Sequence, residues 1–378
     1  MIALTAMMLI NHGGNRAMSQ ELDFPIRWEN DFRNVMPLYR RDTLTMRFIG
    51  DVMMHSRQIS TAARDDGTYD FSSYFRYIED RLKEADIAVA NMEFSLGGEP
   101  YAGYPAFSAP DTIASYVADC GIDIFLLANN HIYDRGLAGA QRTLDIYGRM
   151  KEGHGIRYTG LAADQEERDE IHPLMMVVRG FRLALVNMTY ATNGGERTGW
   201  PKVNYLDDRE DIRKAIEKAE GLGSDIVIAL PHWGNEYELT HSERQKEQAG
   251  WLAENGADMI IGAHPHVVQD IDTSGDVQIA YSLGNAVSNM SARNTRLEMM
   301  LTVRITRDAM GKIRILPFEP EFLWCSLPGH FSTDYTVLPV KEFIGKREEW
   351  LTKADYDNMI ATYERVRTIT GIEDKANE

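Results

Sequence analysis

The sequence of 378 residues predicts an α/β domain with a largely parallel β-sheet. Short runs rich in Ile, Val, Leu and Phe alternate with stretches whose apolar residues recur at helical spacing. The apolar runs are continuous, as expected of strands that are buried on both faces. The predicted strands are 45–50, 86–90, 123–128, 181–188, 225–230, 258–261 and 277–283.

The stretches between these strands show the spacing of amphipathic helices, in which one apolar stripe faces a core. In residues 71–85 this stripe runs from Phe71 to Leu82. Residues 207–220 carry apolar side chains on one side and charged residues on the other, and residues 242–255 show a similar pattern before Gly256. Because glycine is common just after the end of a helix, we predict a helix that ends before Gly256.

The last part of the chain departs from this alternation. Residues 297–305 and 312–317 have no helical stretch between them, which predicts a hairpin added to the sheet. Residues 342–370 predict a charged helix on the outside. We therefore divide the chain into three parts: a lead-in over 1–42, an α/β domain over 43–320, and a C-terminal extension over 321–378 with a helix packed on the core.

The composition excludes several classes of protein. The formal net charge of −17 argues against a basic groove, so no nucleic-acid partner is expected. A hydrophobic fraction of 44% excludes a disordered chain, and no apolar run is long enough to span a bilayer. Two cysteines, Cys120 and Cys325, are too few for a zinc-finger cluster, and the sequence leaves open whether they form a disulfide.

The N-terminal segment has two interpretations. Residues 1–10 are mostly apolar and resemble part of the hydrophobic region of a signal peptide, but no Lys or Arg precedes them. The segment is either the remnant of an export signal or an ordinary N-terminus. The first interpretation predicts a protein of the cell envelope, outside the cytoplasm, and the second a cytoplasmic protein.

Polar side chains follow six of the predicted strands at the points where the strands end. In open α/β sheets, ligands bind outside the carboxyl ends of the strands, so we expect these residues to share one edge. They are carboxylates, amides and imidazoles: Asp51, Glu93, Asn130, His131, His232, His264, His266 and Asn285.

Side chains of these types bind divalent metal ions. Carboxylate and amide oxygens with imidazole nitrogens suit Mg, Mn, Fe or Zn, and a carboxylate can bridge two ions that act on one substrate. Taken singly, each residue also has a structural explanation: a polar loop for His264 and His266, a half-buried histidine for His232, and a turn with a helix cap for Asn130. We predict one or two divalent ions because six strand ends carry such residues together.

Ordered motifs over residues 45–317 add a resemblance to a known family. The motifs are FIGDVMMHSRQ, VANMEFSLGG, PAFSAPDTIASYVADCGIDIFLLANNHIYDRG, LPHWGNEYE, IIGAHPHVVQDID and YSLGN. Together they resemble the signatures of the CapA-type capsule synthesis (poly-γ-glutamate synthesis) family, which is related to the calcineurin-like metallophosphoesterases. The resemblance implies a four-layer α/β sandwich of the metallo-dependent phosphatase type with a two-metal centre.

The resemblance also implies roles for individual residues. The metal ligands would be Asp51, Glu93, Asn130, His232, His264 and His266. His131 would be the catalytic acid that protonates a leaving group. From their places in these motifs, and apart from the resemblance, we also predict that His55, Glu236 and Asn285 contact the substrate. In one departure, Met53 stands where the phosphoesterases have the histidine of an Asp-x-His motif, and a thioether is a poor ligand for Mg or Mn. We therefore expect one of the two metals to bind weakly, differently or not at all.

Two functions are compatible with these observations. The one we favour is a metal-dependent hydrolase or transferase that acts on a phosphorylated small molecule or on an anionic envelope polymer such as poly-γ-glutamate. The alternative is a non-catalytic accessory that keeps the fold and binds polymer or capsule-assembly proteins, and Met53 favours this second function. The resemblance shifts the expected location toward the cell envelope, with the cytoplasm as the alternative.

Overall fold

Two mixed β-sheets form the centre of the protein, in a computed structural model that describes residues 27–28, 43–194, 199–273 and 275–375. Nearly all of the predicted lead-in, including residues 1–10, lies outside the described residues. The strands are β1 (Arg27–Trp28), β2 (Thr43–Val52), β3 (Ile87–Met92), β4 (Ile124–Leu126), β5 (Arg157–Thr159), β6 (Leu161–Ala162), β7 (Leu174–Val178), β8 (Phe181–Thr189), β9 (Lys202–Val203), β10 (Ile226–His232), β11 (Met259–Ile261), β12 (Ile271–Asp272), β13 (Gln278–Ala280), β14 (Leu297–Arg307), β15 (Ile313–Ile315), β16 (Glu319–Ser326) and β17 (Thr336–Pro339).

The helices follow the strands in alternation over most of the chain. They are α1 (Ser56–Ala62), α2 (Glu79–Glu84), α3 (Thr112–Asp119), α4 (Gly136–His154), α5 (Gln165–Ile171), α6 (Arg209–Gly221), α7 (Glu243–Glu254), α8 (Val340–Phe343) and α9 (Lys353–Thr370), with a 3-10 helix at Arg347–Glu349. Helix α7 begins with a capping box between Ser242 and Gln245 and ends just before Gly256, as the sequence predicts.

The predicted parallel strands are divided between two sheets. In the seven-stranded sheet, with order β1-β7-β8-β10-β11-β13-β12, strands β8, β10, β11 and β13 are parallel. In the eight-stranded sheet, with order β17-β16-β14-β2-β3-β4-β5, strands β2 to β5 are parallel. Antiparallel strands extend both sheets, and the predicted hairpin is confirmed because β14 pairs antiparallel with β15.

Helices cover the outer faces of the two sheets. Successive side chains of a strand point to opposite faces, so β8 contributes to two cores. Leu183 and Leu185 join the core shared with the eight-stranded sheet, whereas Ala184 and Val186 pack with α6. Helices α4 and α9 pack on the eight-stranded sheet, and α3 contributes buried side chains to the same apolar core. The four-layer α/β sandwich is therefore confirmed.

The helix predicted over 71–85 is wrong in its first half. Residues 71–78 form turns, and a regular helix begins only at Glu79. The apolar stripe is real, since Phe71, Tyr74 and Phe75 are buried in the core. The hydroxyl of Tyr116 accepts a hydrogen bond from the backbone N–H of Phe75 at 2.8 Å, and this tertiary contact replaces an intrahelical one.

The C-terminal part differs in detail from the prediction. The helix predicted over 342–370 consists of the end of α8, the 3-10 helix and α9, which packs against β14 and β16. Strand β16 crosses the predicted boundary between 320 and 321, and β16 and β17 belong to the eight-stranded sheet. The division into a domain and an extension stays a prediction.

Two further observations concern the cysteines and the membrane. Cys120 and Cys325 are both buried free thiols, so no disulfide joins them. Within the part of the chain that the structure describes, none of the helices has the length and apolar character needed to cross a membrane.

Candidate metal centre

A β-bulge at the end of β2 places Asp51 at the edge where the two sheets meet. The parallel register pairs Ile49 with Ala90 and Asp51 with Asn91, so Gly50 is the extra residue. A Cβ atom at Gly50 would lie 1.9 Å from the carbonyl oxygen of Gly284, which only glycine can avoid. The backbone N–H of Asp51 then donates to the same oxygen at 2.9 Å.

The end of β3 brings a second carboxylate to the same place. Asn91 and Glu93 are two residues apart, and Asn91 Nδ2 donates to Asp51 Oδ1 at 2.7 Å. The same amide nitrogen lies 3.3 Å from His232 Nδ1 at the end of β10. Asn91 therefore connects a side chain of the eight-stranded sheet with one of the seven-stranded sheet.

The loop after β11 presents two histidines from an unusual backbone. His264 and His266 have φ values of +99° and +59°, in a backbone region that residues other than glycine rarely adopt. The N–H of His264 donates to Asp51 Oδ2 at 3.1 Å, and the N–H of Tyr237 donates to the carbonyl of Pro265 at 2.9 Å. Strained backbone that is held by such contacts is a feature of ligand sites.

The ligand atoms form three groups in which all atoms lie within 4.8 Å of one another. Glu93 belongs to two of them and is the carboxylate that they share. The groups are Asp51 with Glu93 and His266; Glu93 with His232 and His264; and Glu236 with His264 and His266. Five of the six predicted ligands thus converge, and a divalent metal could be held by them.

Asn130, the sixth predicted ligand, and His131 follow β4. Asn130 Oδ1 lies 2.8 Å from His232 Nε2, beside the group of Glu93, His232 and His264. His131 Nδ1 lies 2.7 Å from Asp134 Oδ2, and its ring packs edge-on against Phe107 at 4.6 Å. Asp134 thereby orients the imidazole that the resemblance assigns to the catalytic acid.

Several buried polar atoms of this site have no hydrogen-bond partner among the described residues. They are both carboxylate oxygens of Glu93, Asn91 Oδ1 and His264 Nδ1. Buried polar groups are normally paired, so orphaned acceptors of this kind indicate a missing cation or water. The donor set therefore fits a divalent metal ion, which would accept electron pairs from these atoms.

The ionisation of these groups is strongly perturbed by their burial. Burial raises the pKa of the Asp51 carboxyl, and burial together with the nearby Asp51 raises the pKa of Glu93 well above its usual range. Burial lowers the pKa of His232 well below its usual range and that of His264 to about 3. The imidazoles of His232 and His264 are thus neutral at physiological pH, as a metal ligand must be.

The three predicted substrate contacts occupy different environments. His55 lies outside the three ligand groups of the described residues, with Nδ1 at 3.1 Å from Gln58 Oε1, and burial lowers its pKa to about 4. Glu236 is exposed and belongs to the outermost ligand group. Asn285 is fully buried, and its Oδ1 lies 2.9 Å from His266 Nδ1.

Other residues of the site were missed by the sequence analysis. Asn91 bridges Asp51 and His232, and its spacing from Glu93 is the signal that could have identified it, since residues i and i+2 of a strand share a face. The ring of Tyr190 lies 4.6 Å from that of His264, and Glu298 accepts a hydrogen bond from the N–H of Gly50 at 3.0 Å. Burial raises the pKa of Glu298 to about 8. Neither Tyr190 nor Glu298 carries a local sequence signal.

The environment of Met53 is that of a core residue, as expected of a methionine in the place of the histidine of the Asp-x-His motif. Its side chain is 2% exposed and belongs to the hydrophobic core. The group of Asp51, Glu93 and His266 therefore has three donors, whereas the group around His232 has Asn130 beside it as a fourth.

Residues 45–290 match the family described as Bacterial capsule synthesis protein PGA_cap. The chain belongs to this family. Two relatives extend the match: "Capsule biosynthesis protein CapA" of Bacillus anthracis is 29% identical over 305 residues, which cover 77% of this chain and 72% of the relative. "PGA biosynthesis protein CapA" of Bacillus subtilis (strain 168) is 25% identical over 292 residues, which cover 74% of this chain and 73% of the relative.

Two solved structures are also similar to this chain, at low sequence identity. A 5'-nucleotidase precursor from Thermus thermophilus aligns with a TM-score of 0.44 and 13% identity over 86% of this chain, which spans only 59% of the nucleotidase. The calcineurin-like phosphoesterase YfkN from Bacillus subtilis aligns with a TM-score of 0.41 and 12% identity over 86% of this chain and 99% of that chain.

Proposed function

We propose that this PGA_cap protein is a metal-dependent hydrolase or transferase. The observation that carries the proposal is the position of Glu93. Its carboxylate is fully buried, neither oxygen has a hydrogen-bond partner among the described residues, and it belongs to two ligand groups at once. A carboxylate in that position suits a bridge between two cations.

The two ligand groups would hold the ions unequally. Glu93, His232 and His264, with Asn130, offer four donors, whereas Asp51, Glu93 and His266 offer three. Divalent ions held by these residues would supply a positive field for negative charge on a substrate and would make a nearby water more acidic. The candidate ions are Mn, Mg, Fe and Zn, and one or two would be bound.

His131 is the residue we propose as the general acid. Its Nδ1 is held by Asp134 at 2.7 Å, which leaves Nε2 to donate a proton to a leaving group. The side-chain nitrogen of Asn193 lies 3.3 Å from Nδ1 and 3.4 Å from Nε2 of His131, so a polar amide neighbours the proposed acid.

The substrate we propose is an anionic envelope polymer or a phosphate ester. The relatives are described as proteins of capsule and PGA biosynthesis, and an acidic polymer suits a site in which two divalent cations would outweigh the carboxylates of Asp51 and Glu93. This function places the protein in the cell envelope, with capsule-assembly proteins as its partners.

A second candidate is a non-catalytic accessory protein that binds polymer or assembly partners. The buried Met53 favours it, because an ion held by Asp51, Glu93 and His266 would lack the second imidazole that a histidine at position 53 would supply. In that case the protein would bind one ion tightly, and this ion would stabilise the fold without taking part in a reaction, or it would bind no ion.

An elemental analysis of the purified full chain, followed by an assay, separates the two candidates. The substrate for the assay is bis-p-nitrophenyl phosphate with added Mn²⁺. For the enzyme we expect bound metal, and we expect His131→Ala to keep that metal while turnover falls by about 10²–10⁴-fold. His154→Ala is the matched control, since His154 is exposed and lies on α4, 4.0 Å from Asp119.

The opposite results would favour the accessory. A folded protein without bound metal and without turnover on added Mn²⁺ contradicts the enzyme. Equal turnover in His131→Ala and His154→Ala would remove His131 from the proposed reaction.

A further inference from the structure

Asn285 is buried behind His266 and makes contacts on both sides of its amide group. Its Oδ1 lies 2.9 Å from His266 Nδ1. Its Nδ2 donates to the carbonyl oxygen of Thr295 at 3.1 Å and to that of His266 at 3.4 Å, and it lies 3.4 Å from Met290 Sδ. Asn285 has no solvent-exposed surface, so these protein contacts use the whole side chain.

These contacts determine which way the amide points. Carbonyl oxygens only accept hydrogen bonds, so the amide nitrogen must face Thr295 and the backbone of His266. The amide oxygen, which also only accepts, then faces His266 Nδ1. Since the amide oxygen is an acceptor, His266 Nδ1 carries a proton, and in the tautomer that can bind a metal ion the lone pair is then on Nε2, which lies 3.8 Å from Glu93 Oε1.

Arg296, the residue that follows Thr295, is tied to the C-terminal helix. The guanidinium of Arg296 forms a two-pronged ion pair with Asp355 of α9, at 2.6 and 2.9 Å, and its Nε donates to the carbonyl of Cys325 at 2.9 Å. Arg296 also lies over the ring of Trp324 at 4.4 Å. We call Arg296, Trp324, Ser326 and Asp355 the α9 anchor; Trp324 and Ser326 both donate to Asp355 Oδ2.

We propose that Asn285 is a positioning residue that keeps His266 in the tautomer with its lone pair on Nε2, and that the α9 anchor keeps Asn285 in place. The proposal rests on His266 being a metal ligand, as in the proposed function. Histidine ligands commonly donate their second ring N–H to a fixed acceptor, which orients the ring. Arg296 and Asp355 lie outside the stretch 45–290 that matches the family, so a C-terminal segment beyond it would support the site.

The test uses the full chain labelled with ¹⁵N-histidine, free of metal and at neutral pH. Long-range ¹H–¹⁵N spectra distinguish a protonated from an unprotonated ring nitrogen, and a His266→Gln variant assigns the signals of His266. The variants are Asn285→Leu, which removes the acceptor, and Asp355→Asn, which weakens the anchor. Asp357→Asn is the matched control, because Asp357 lies on the same helix and pairs with Arg347 on the surface.

We expect His266 of the unchanged chain to carry its proton on Nδ1. In Asn285→Leu the signals should move toward the other tautomer, and the Mn²⁺ affinity measured by calorimetry should fall by about 10–100-fold. Asp355→Asn should move both readouts in the same direction by less, whereas Asp357→Asn should leave them as in the unchanged chain.

Other results would overturn the proposal. A proton on Nε2 in the unchanged chain, or an unchanged tautomer in Asn285→Leu, removes the role of Asn285. If Asn285→Leu does not fold, the unchanged chain still reports the tautomer, and equal behaviour of Asp355→Asn and Asp357→Asn removes the role of the anchor. If the unchanged chain binds no Mn²⁺, the proposed function fails, and the tautomer still decides the role of Asn285.

Discussion

The candidate metal centre and the α9 anchor are both buried and charged, but only the anchor is internally satisfied. In the anchor, Asp355 faces the guanidinium of Arg296 and accepts further bonds from Trp324 and Ser326. In the metal centre, Glu93 has no such partner among the described residues, and its pKa is raised by burial and by Asp51. A satisfied cluster needs no ligand and is costly to break, whereas an unsatisfied one indicates a ligand.

The largest effect is expected from Glu93→Gln, which removes the shared carboxylate. Metal affinity should fall by more than the roughly 10–100-fold typical of changes outside the ligand shell. The stabilisation of the fold by added Mn²⁺, read as a rise in Tm, should disappear with it.

The metal-free form of Glu93→Gln should be as stable as the unchanged chain or more stable at neutral pH. The folded-state pKa of Glu93 lies above its ordinary value, so its favourable contribution is present at acid pH and lost as the pH rises through the folded pKa. Glutamine has no charge to bury. A metal-free variant with a clearly lower Tm would show that Glu93 is structural, and the contrast with the anchor would fail.

Breaking the α9 anchor should lower the stability of the fold, whether or not metal is present. Arg296→Met leaves the carboxylate of Asp355 buried without its cation, so we expect a loss of about 3–5 kcal/mol in the free energy of unfolding. Denaturant unfolding measures this with and without Mn²⁺, and the loss should appear in both conditions. Arg347→Met is the control, since its ion pair with Asp357 is exposed and should contribute little.

A smaller effect should come from completing the weaker half of the metal centre. Met53→His restores the Asp-x-His spacing beside Asp51, and we expect the affinity for the weaker ion to rise by about tenfold, or 1.4 kcal/mol. Calorimetry with Mn²⁺ measures it, and Met54→His adds the same imidazole outside that spacing. Equal binding by the two variants would mean that position 53 does not face the ion.

An effect of similar size tests burial without a counter-charge. Asp123 accepts a hydrogen bond from the N–H of Ala88 at 2.8 Å, and burial raises its pKa from 3.8 to about 6. Its contribution to stability is present below pH 4 and is lost as the pH rises through 6, because the buried carboxyl must then ionise. Asp123→Asn keeps a hydrogen-bond acceptor that does not ionise. At pH 7 its free energy of unfolding should therefore retain about 1–2 kcal/mol that the unchanged chain loses. Unfolding curves with parallel pH dependence for the two proteins would contradict this.

Much of the fold and most of the candidate ligands could be predicted from the sequence. The predicted strands 181–188 and 225–230 correspond to β8 and β10, because continuous apolar runs encode burial on both faces. The carboxyl ends of β2, β3 and β10 also indicated where Asp51, Glu93 and His232 would meet. The prediction over 71–78 was wrong because the hydroxyl of Tyr116, 41 residues from Phe75, takes the place of a local hydrogen bond.

The role of Asn285 could not be read from its motif. A polar residue at a strand end predicts a substrate contact as readily as a contact within the protein. Only the positions of Thr295 and His266 show that its amide is used internally, and Glu298 reaches Gly50 from a strand 248 residues away.

Local sequence determined the types of donor at the strand ends and the strands that carry them, because residue chemistry and hydrophobic periodicity are properties of short segments. Tertiary structure alone decided how the parallel strands are divided between two sheets. It also placed Asn91 and Glu93 of one sheet beside His232 of the other. It also decided that the carboxylate of Glu93 stays unpaired while that of Asp355 is satisfied. The physical reason is that burial and the satisfaction of a charge depend on contacts between residues that are distant in the chain.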